Sequence, residues 1–312
     1  MTYEVVNVTP DTPEWLLERR SSVGASEVAA VLGLSPYNTA LDVYKSKQGV
    51  DRDFDPLLSF IGHESEHIIH KWVEEFSGVQ VQLEPAFMAR STEFPFLHAS
   101  FDRVSSDPFT TWQFKTAHFY TGHKWDEGIP TDIRVQVQAE MLVAGTQKAA
   151  VVVWIGGREF RLFWEPRDNR FIDEHMIPAL TEFWAGVRHG VAPAPSNVAE
   201  LAEAWPDVAG EMEAPEVALE WIEKRAFLLA TAKEAEDEAK QITQAIGGFM
   251  LDAKVDTLTA NGRKLLTYKK QKGRESFDTA RLKTERPDLV AEYTKQGADF
   301  MVMRTVKPKE TK

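Results

Sequence analysis

Apolar residues in the first 190 positions recur with two different periods. A spacing of three to four residues predicts helices, and a spacing of two predicts strands. The helical stretches are Trp15 to Arg20, Ala25 to Leu32, Thr39 to Gly49, Pro56 to Phe76, 133–145 and Asn169 to Arg188. The strand-like stretches are 79–84, 86–91, 96–104, 110–117 and the two segments beside Gly156-Gly157.

The order of these elements predicts the fold class. Helices come first, then a run of strands, a helix, two more strands joined by a hairpin turn, and a closing helix. This order is typical of an α/β domain, with a mixed central β-sheet flanked by helices.

The pattern changes after residue 190. The Pro-containing stretch 191–197 indicates a linker, so we expect a domain over 1–192, a linker over 193–215 and a C-terminal appendage over 216–312. The predicted elements of the appendage are a long helix or helical hairpin from Glu216 to Asp252, a β-hairpin at Asn261-Gly262, a helical piece from Thr279 to Tyr293 and a last strand over 300–306.

Composition limits the class of protein. The 312 residues are 43% hydrophobic, which is enough to fill a core. No apolar run reaches about 18 residues, and the first residues lack the pattern of a secretory signal, so we expect a cytoplasmic protein. Because the chain contains no cysteine, a bound metal would have oxygen or imidazole ligands.

The net charge of −12 argues against a protein that coats nucleic acid. The acidity is uneven, since residues 1–214 hold 17 basic and 32 acidic residues while 215–312 hold 19 and 16. Six basic residues and no acidic one lie from Arg263 to Arg274. That segment fits either a solvated hairpin or a contact with the DNA backbone.

Candidate chemistry centres on two neighbouring predicted strands. Asp102 ends one strand, and Gln113-Phe114-Lys115 lies on the next, where alternation points Gln113 and Lys115 to the same side. Hydrolysis of a phosphodiester requires an activated water and hard cations held by oxygen ligands. In this arrangement Lys115 would hold or polarise the water, and the carbonyl of Phe114 would complete the metal's ligands. Taken alone, the pattern is common and usually means surface charge.

Four blocks in order make the pattern more specific. They are WLLERRSSVGASEVAAVLGLSPY (15–37), GHESEHIIHKWVEEFSGVQV (62–81), FPFLHASFDRV with WQFKTA, and VQVQAEMLVAG (135–145). Together they resemble the phage-type alkaline exonucleases, the lambda-exonuclease and YqaJ-like viral recombinase family of the PD-(D/E)XK nuclease superfamily. The resemblance covers roughly residues 12–190 and implies a restriction-endonuclease-like core.

The resemblance implies a role for each matching residue. Glu66, Asp102 and Gln113 would form the metal site, Lys115 would be the catalytic lysine, Arg19 and Ser26 would bind the DNA 5′ phosphate, and Gln136 would support the site. Each also has an ordinary explanation. A helix Glu such as Glu66 is usually solvated, Arg19 could form a surface pair with Arg20, and Ser26 is a credible helix N-cap.

Gln113 departs from the family pattern, which has a glutamate there. An amide offers one neutral oxygen in place of a carboxylate, so the formal charge of the site falls from −3 to −2, and weaker magnesium binding is expected. Three interpretations stay open: a natural active variant, an engineered inactivating change, or a relative that only binds DNA ends.

A second motif competes for part of the same helix. His63-Glu64-Ser65-Glu66-His67 satisfies the His-Glu-x-x-His pattern of zinc metalloproteases. The Gly-x-x-His continuation of one large protease group is absent, and no clear third ligand follows.

The expected function follows from the resemblance. It implies a Mg²⁺-dependent exonuclease, with Mn²⁺ as a substitute, that degrades one strand of linear double-stranded DNA from 5′ to 3′. The 3′ single-stranded tails would serve phage-type recombination with a single-strand annealing protein as partner. A ring-shaped homotrimer, a phage or prophage origin, action in the bacterial cytoplasm and no membrane association are implied in the same way.

Overall fold

The structure is a computed structural model that describes residues 2–9, 12–50, 56–106, 109–204, 210–273, 275–296 and 303. It divides into two compact units, Met1–Ala204 and Trp205–Lys312. The described helices of the first unit are α1 (Pro13–Arg20), α2 (Val28–Val31), α3 (Ala40–Lys47), α4 (Pro56–Glu75), α5 (Thr131–Ala144), α6 (Asn169–Phe171), α7 (Ile177–His189) and α8 (Val198–Ala204).

Nine strands of the first unit form two mixed sheets. The strands are β1 (Tyr3–Val6), β2 (Val23–Gly24), β3 (Leu83–Glu84), β4 (Phe87–Ser91), β5 (Leu97–Phe101), β6 (Arg103–Ser106), β7 (Phe109–Ala117), β8 (Lys148–Ile155) and β9 (Glu159–Pro166). Among the described residues, one sheet has the order β1-β4-β5-β2 and the other β3-β6-β7-β8-β9. The pairs β2–β5 and β7–β8 are parallel, and the remaining pairs are antiparallel.

The chain passes from the first sheet to the second at one residue, Asp102. Strand β5 ends at Phe101 and β6 begins at Arg103. The stretch 96–104, predicted as a single strand, is therefore two strands in different sheets. This break places the Asp102 carboxyl group between the two sheets.

Helix α5 connects the parallel strands β7 and β8 and is buried on all sides. Every residue from Val135 to Ala144 is buried. Ala139 and Val143 belong to a core formed with β5 and the first helices, whereas Val137 and Met141 belong to a second core over β8. Because opposite faces of one helix fill both cores, α5 fixes the position of each sheet.

Strand β7 presents different chemistry on its two faces. Trp112 and Phe114 pack with Ile69 and Val73 of α4 in a third core. Alternation along the strand directs Gln113 and Lys115 to the opposite face. This is the face that carries the candidate site.

The second unit is described by itself. Its elements are α9 (Glu216–Asp252), β10 (Thr257–Ala260), β11 (Arg263–Thr267), α10 (Thr279–Glu285) and α11 (Pro287–Tyr293). Asn261 and Gly262 have φ values of 49° and 74°, which are the left-handed conformations of a tight hairpin turn. The appendage forms one long helix over 216–252, as in the first of the two alternatives from the sequence.

The predicted α/β class with mixed sheets and flanking helices is confirmed. The strands divide between two sheets, however, and neither β1, which pairs with β4, nor β2, which pairs with β5, was predicted. The predicted strand over 300–306 lies outside the described residues, apart from Met303.

Residues assigned to a linker by the sequence include helix α8. Its Glu200 is 7% exposed and accepts hydrogen bonds from Thr39 and from Ser196. The division into a domain over 1–192, a linker over 193–215 and an appendage over 216–312 stays a prediction.

Among the described residues, no helix is both long and apolar enough to cross a membrane.

Gly145 ends α5 and provides a test of how firmly that helix is held. Its φ is 74°, and a Cβ atom there would meet Thr2 Oγ1 at 2.8 Å. We expect Gly145→Ala to lower the free energy of unfolding by more than the roughly 1–2 kcal/mol that left-handed backbone alone costs an L-residue. Gly33→Ala is the matched control, because Gly33 has a φ of 69° with nothing within 4 Å of the added Cβ. Equal losses of stability in urea titrations of the two variants would contradict the packing argument.

Candidate active site

Asp102 lies between strands β5 and β6, and its side chain contacts strand β7. Its Oδ2 accepts hydrogen bonds from the backbone N–H of Phe114 at 2.7 Å and from Gln113 Nε2 at 2.6 Å. Burial raises the pKa of Asp102, and the nearby Lys115 opposes this change. The first predicted pair, Asp102 with the Gln113-Phe114-Lys115 strand, is therefore assembled in the fold.

Gln136 of α5 joins Gln113 to Lys115. Gln136 Nε2 donates to Gln113 Oε1 at 3.0 Å, and Gln136 Oε1 accepts from Lys115 Nζ at 3.0 Å. The two amides thus form a continuous chain of hydrogen bonds between the ammonium group and Asp102. Gln136 therefore contacts both Gln113 and Lys115, and its role as a supporting residue stays a prediction.

A further carboxyl group lies in this network, and sequence reasoning did not single it out. Glu140 is 1% exposed, and its Oε1 accepts a hydrogen bond from Gln136 Nε2 at 2.8 Å. Burial, with the neighbouring charge of Asp102, raises the pKa of Glu140 to about 8. The available signal was its spacing, because a residue four positions after Gln136 lies on the same helix face.

Glu66 approaches Asp102 from α4. Burial raises the pKa of Glu66 to about 7, and the charge of Asp102 adds to this rise. The Glu66 carboxylate pairs with Arg103 Nη1 at 3.5 Å, and Arg103 Nε donates to His70 Nδ1 at 3.1 Å. Glu66 also lines a cavity, together with His63, His67 and His70.

Arg19 lies at the end of α1, before strand β2, and Ser26 lies in the turn that follows β2. The Arg19 guanidinium stacks over the Trp15 ring at 4.6 Å, and Ser26 is exposed in the 3₁₀ turn Ala25–Glu27. Strand β2 pairs in parallel with β5, the strand that ends beside Asp102. The two residues therefore lie on either side of the strand that pairs with β5.

The ion pair of Lys47 with Glu27 also contacts the backbone of Arg19. Lys47 Nζ bonds Glu27 Oε2 at 2.5 Å and the Arg19 carbonyl at 2.8 Å. Glu27 Oε2 also accepts from the Gly24 N–H at 2.7 Å. These contacts fix the end of α1 relative to the turn that carries Ser26.

The donors around Asp102 fit a hard divalent cation. A carboxylate and the Phe114 carbonyl are oxygen ligands of the kind that Mg²⁺ binds. The Gln113 amide turns its nitrogen toward both of them, so its oxygen would reach a metal there only after the amide rotates. Among the described residues, no three His, Asp or Glu side chains converge as a ready metal site. Asp102 and Glu140 place two buried carboxyl groups near Lys115, and burial raises the pKa of both.

Comparison with known proteins shows the family to which the chain belongs. The family of the YqaJ-like viral recombinase domain matches residues 14–147. The protein YqaJ of Bacillus subtilis (strain 168) is 30% identical over 297 residues, which cover 91% of each chain. The chain belongs to the YqaJ-like viral recombinase family, and the resemblance found in the sequence is confirmed.

Solved structures with a similar arrangement include two exonucleases. The alkaline exonuclease LHK-Exo of Laribacter hongkongensis is 16% identical and has a TM-score of 0.48, with coverage of 58% of this chain and 94% of that one. A phage-related exonuclease from Haemophilus somnus 129PT is 14% identical and has a TM-score of 0.44, with coverage of 55% and 96%.

The raised pKa of Glu140 predicts how stability depends on pH. In the unfolded chain this carboxyl ionises near its ordinary value, whereas in the fold it holds its proton to about pH 8. The unfolded state therefore binds fewer protons between these values, and the free energy of unfolding falls as pH rises through this window. We expect Glu140→Gln to flatten that fall, measured by urea titrations from about pH 5 to pH 8 in a chelating buffer.

Glu200→Gln is the control for this prediction. Burial raises the pKa of Glu200, but hydrogen bonds from Thr39 and Ser196 outweigh burial and lower it. The stability that Glu200 contributes is therefore lost only toward acid pH, and its removal should leave the slope near neutral pH unchanged. A wild-type slope in Glu140→Gln would contradict the prediction.

Proposed function

We propose that the protein is a Mg²⁺-dependent exonuclease that degrades one strand of linear double-stranded DNA from the 5′ end. The product would be a duplex with 3′ single-stranded tails for phage-type homologous recombination. The observation that carries the proposal is the hydrogen-bonded set of Asp102, Gln113, Lys115 and Gln136 in a member of the viral recombinase family.

Asp102, Gln113 and the carbonyl of Phe114 would hold the metal, with Glu66 beside them. When bound, Mg²⁺ or Mn²⁺ would polarise the scissile phosphate and lower the pKa of the attacking water. The Phe114 N–H bond to Asp102 Oδ2 fixes the carboxyl group against β7. The sheet thus orients the ligands before DNA binds.

Lys115 would act directly on the reacting groups. Gln136 accepts a hydrogen bond from one of the three N–H groups of the Lys115 ammonium, and this bond orients the ammonium group. The ammonium would donate to the attacking water and stabilise the negative charge that develops on the phosphate oxygens. Gln136 would act as a positioning residue.

Arg19 and Ser26 would bind the 5′ phosphate of the DNA end. A guanidinium suits a phosphate because it donates two parallel hydrogen bonds. The stacking on Trp15 and the Lys47 bond to the Arg19 backbone support a fixed position for this group. Recognition of a terminal phosphate would explain why the proposed activity starts at ends.

Two further proposals come from the family. The chain would form a ring-shaped homotrimer, with an acidic outer surface and a basic channel that reconcile the net charge of −12 with DNA binding. It would work with a single-strand annealing protein, and residues 216–312 are available for contacts with that partner.

Gln113 supports a second candidate function, a DNA-end binding module with weak or no catalysis. The amide faces Asp102 through its nitrogen, so the site differs from one with a carboxylate at this position. Family membership favours either of these functions over the zinc metalloprotease suggested by His63 and His67.

Digestion of a 5′-phosphorylated linear duplex with Mg²⁺ distinguishes the two candidates. We expect the wild type to cut it and to leave a covalently closed circle intact, with Gln113→Glu at least as active. Lys115→Ala should be slower by roughly 100-fold or more, because it removes a group that stabilises developing charge. Lys148→Ala is the control, since Lys148 lies over the Trp164 ring on the neighbouring strand.

The outcomes separate clearly. Cutting by Gln113→Glu alone would assign the wild type to the binding module. If neither the wild type nor Gln113→Glu cuts the duplex and both bind its ends tightly, the result contradicts the enzyme proposal.

Arg19→Ala tests recognition of the 5′ phosphate. The wild type should prefer a 5′-phosphorylated duplex over a 5′-hydroxyl duplex, and Arg19→Ala should lose most of that preference while it retains cutting of the hydroxyl end. Arg170→Ala, which removes an exposed arginine paired with Glu174, should keep the preference. An unchanged ratio of the two rates in Arg19→Ala would remove Arg19 from the phosphate site.

A further inference from the structure

We infer that Glu140 is a positioning residue that fixes the side-chain amide of Gln136 and, through it, the ammonium group of Lys115. The inference rests on the proposed nuclease function, in which Lys115 acts on the attacking water and the phosphate. It assigns a role to a residue that neither the sequence motifs nor the family pattern singled out.

The two ends of the Gln136 amide differ in chemistry. The nitrogen donates two hydrogen bonds, whereas the oxygen only accepts them. Lys115 Nζ donates to Gln136 Oε1 at 3.0 Å. Because an ammonium group cannot accept a hydrogen bond, it bonds this side chain only while the amide oxygen faces it. The direction of the Gln136 amide therefore decides whether Lys115 keeps this contact.

The nitrogen of the same amide has two acceptors. Gln136 Nε2 donates to Gln113 Oε1 at 3.0 Å and to Glu140 Oε1 at 2.8 Å. These two bonds use both hydrogens of the nitrogen. The amide is thus held at three points, since Gln113 and Lys115 contact it from strand β7 and Glu140 contacts it from helix α5.

The bond to Glu140 is the contact that does not depend on the strand. Glu140 lies four residues after Gln136, so the two side chains share one face of α5. The helix alone can therefore orient the Gln136 amide, and Lys115 bonds a group whose direction is already set.

Burial makes the bond to Glu140 important. Gln136 is 8% exposed and Glu140 is 1% exposed. A buried N–H group that loses its acceptor is costly, and water has little access to take the acceptor's place here. Without the Glu140 oxygen, we expect the Gln136 amide to turn toward another acceptor and to release Lys115.

This role requires an acceptor oxygen but no charge. Burial, with the neighbouring charge of Asp102, raises the pKa of Glu140 to about 8, so its carboxyl group is mostly uncharged at neutral pH. The carbonyl oxygen of that group accepts a hydrogen bond as an amide oxygen does. Substitution of Glu140 by glutamine should therefore preserve the role, whereas substitution by an apolar side chain should remove it.

The test compares Glu140→Gln and Glu140→Met in Mg²⁺-dependent cutting of a 5′-phosphorylated linear duplex at saturating enzyme concentration. Glu140→Gln should cut close to the wild-type rate. Glu140→Met keeps the length of the side chain without its oxygens, and we expect the cutting rate to fall by roughly 10-fold. The dissociation constant for duplex ends should stay unchanged in both variants, because Lys115 would act on the reacting groups.

A double-mutant cycle shows whether Glu140 acts through Gln136. Gln136→Met should slow cutting about as much as Glu140→Met, and the double variant should be no slower than either single variant. Gln138→Met is the matched control, because Gln138 is a buried amide of the same helix that bonds the Pro166 carbonyl and the Asp168 N–H. It should lower stability in urea and leave the cutting rate of the folded protein unchanged.

Crystal structures provide a measurement that is independent of DNA cutting. In Glu140→Met the Gln136 oxygen should no longer lie within hydrogen-bond distance of Lys115 Nζ, whereas in Glu140→Gln it should stay there. If Glu140→Met does not fold, the wild type and Glu140→Gln still decide the question. Absence of the Gln136–Glu140 bond from the wild-type crystal structure, or slow cutting by folded Glu140→Gln, would overturn the inference.

Other results separate the positioning role from the nuclease proposal. Wild-type cutting by Glu140→Met, or a further loss of rate in the double variant, would reject Glu140 and leave the nuclease standing. If the wild type leaves the duplex uncut while Gln136 moves away from Lys115 in Glu140→Met, the nuclease proposal fails and Glu140 still positions the amide.

Discussion

The burial of polar side chains on α5 is the constraint on which the first unit depends. A helix enclosed on every side cannot leave an amide or carboxyl group unpaired without a large loss of stability. Gln138 bonds the Pro166 carbonyl and the Asp168 N–H on one side. Gln136 and Glu140 bond toward β7 on the other. Residues two apart on a helix point in nearly opposite directions, so one helix holds the end of β9 and the middle of β7 together.

The same constraint explains why the candidate site is built largely from amides. Charged groups are expensive inside a core, whereas amides both donate and accept and can extend a network without net charge. Gln113 and Gln136 connect Lys115 to Asp102 in this way. The charged groups Asp102 and Lys115 interact with each other, and the neutral amides of Gln113 and Gln136 set the distance between them.

Much of the fold could be predicted from residue patterns because most elements have one apolar face. Strand β7 is an example: its alternation correctly placed Gln113 and Lys115 on one side and Phe114 on the other. The stretch 96–104 was predicted as one strand, although its apolar positions change from odd numbers, ending at Phe101, to the even-numbered Val104 across Asp102. The separation into two sheets arises from contacts with α5, which lie far away in the sequence.

Prediction of the site failed in an informative place. A glutamate within a helix is usually exposed, so Glu140 carried no signal, although it is almost fully buried. Glu66 was identified through the family resemblance rather than through its own surroundings. The roles of Arg19 and Ser26 also came from the resemblance, since a surface arginine and a serine at a helix start have ordinary structural explanations.

The position of Asp102 between two sheets has a mechanical consequence. The residue belongs to neither ladder, so the angle at which one sheet meets the other affects the two hydrogen bonds that hold its carboxylate against β7. Substitutions in either core can alter that angle and shift the carboxylate without any contact to it. Relatives of this chain could therefore adjust the reactivity of their sites through apolar residues in the two cores, while every polar residue around Asp102 stays the same.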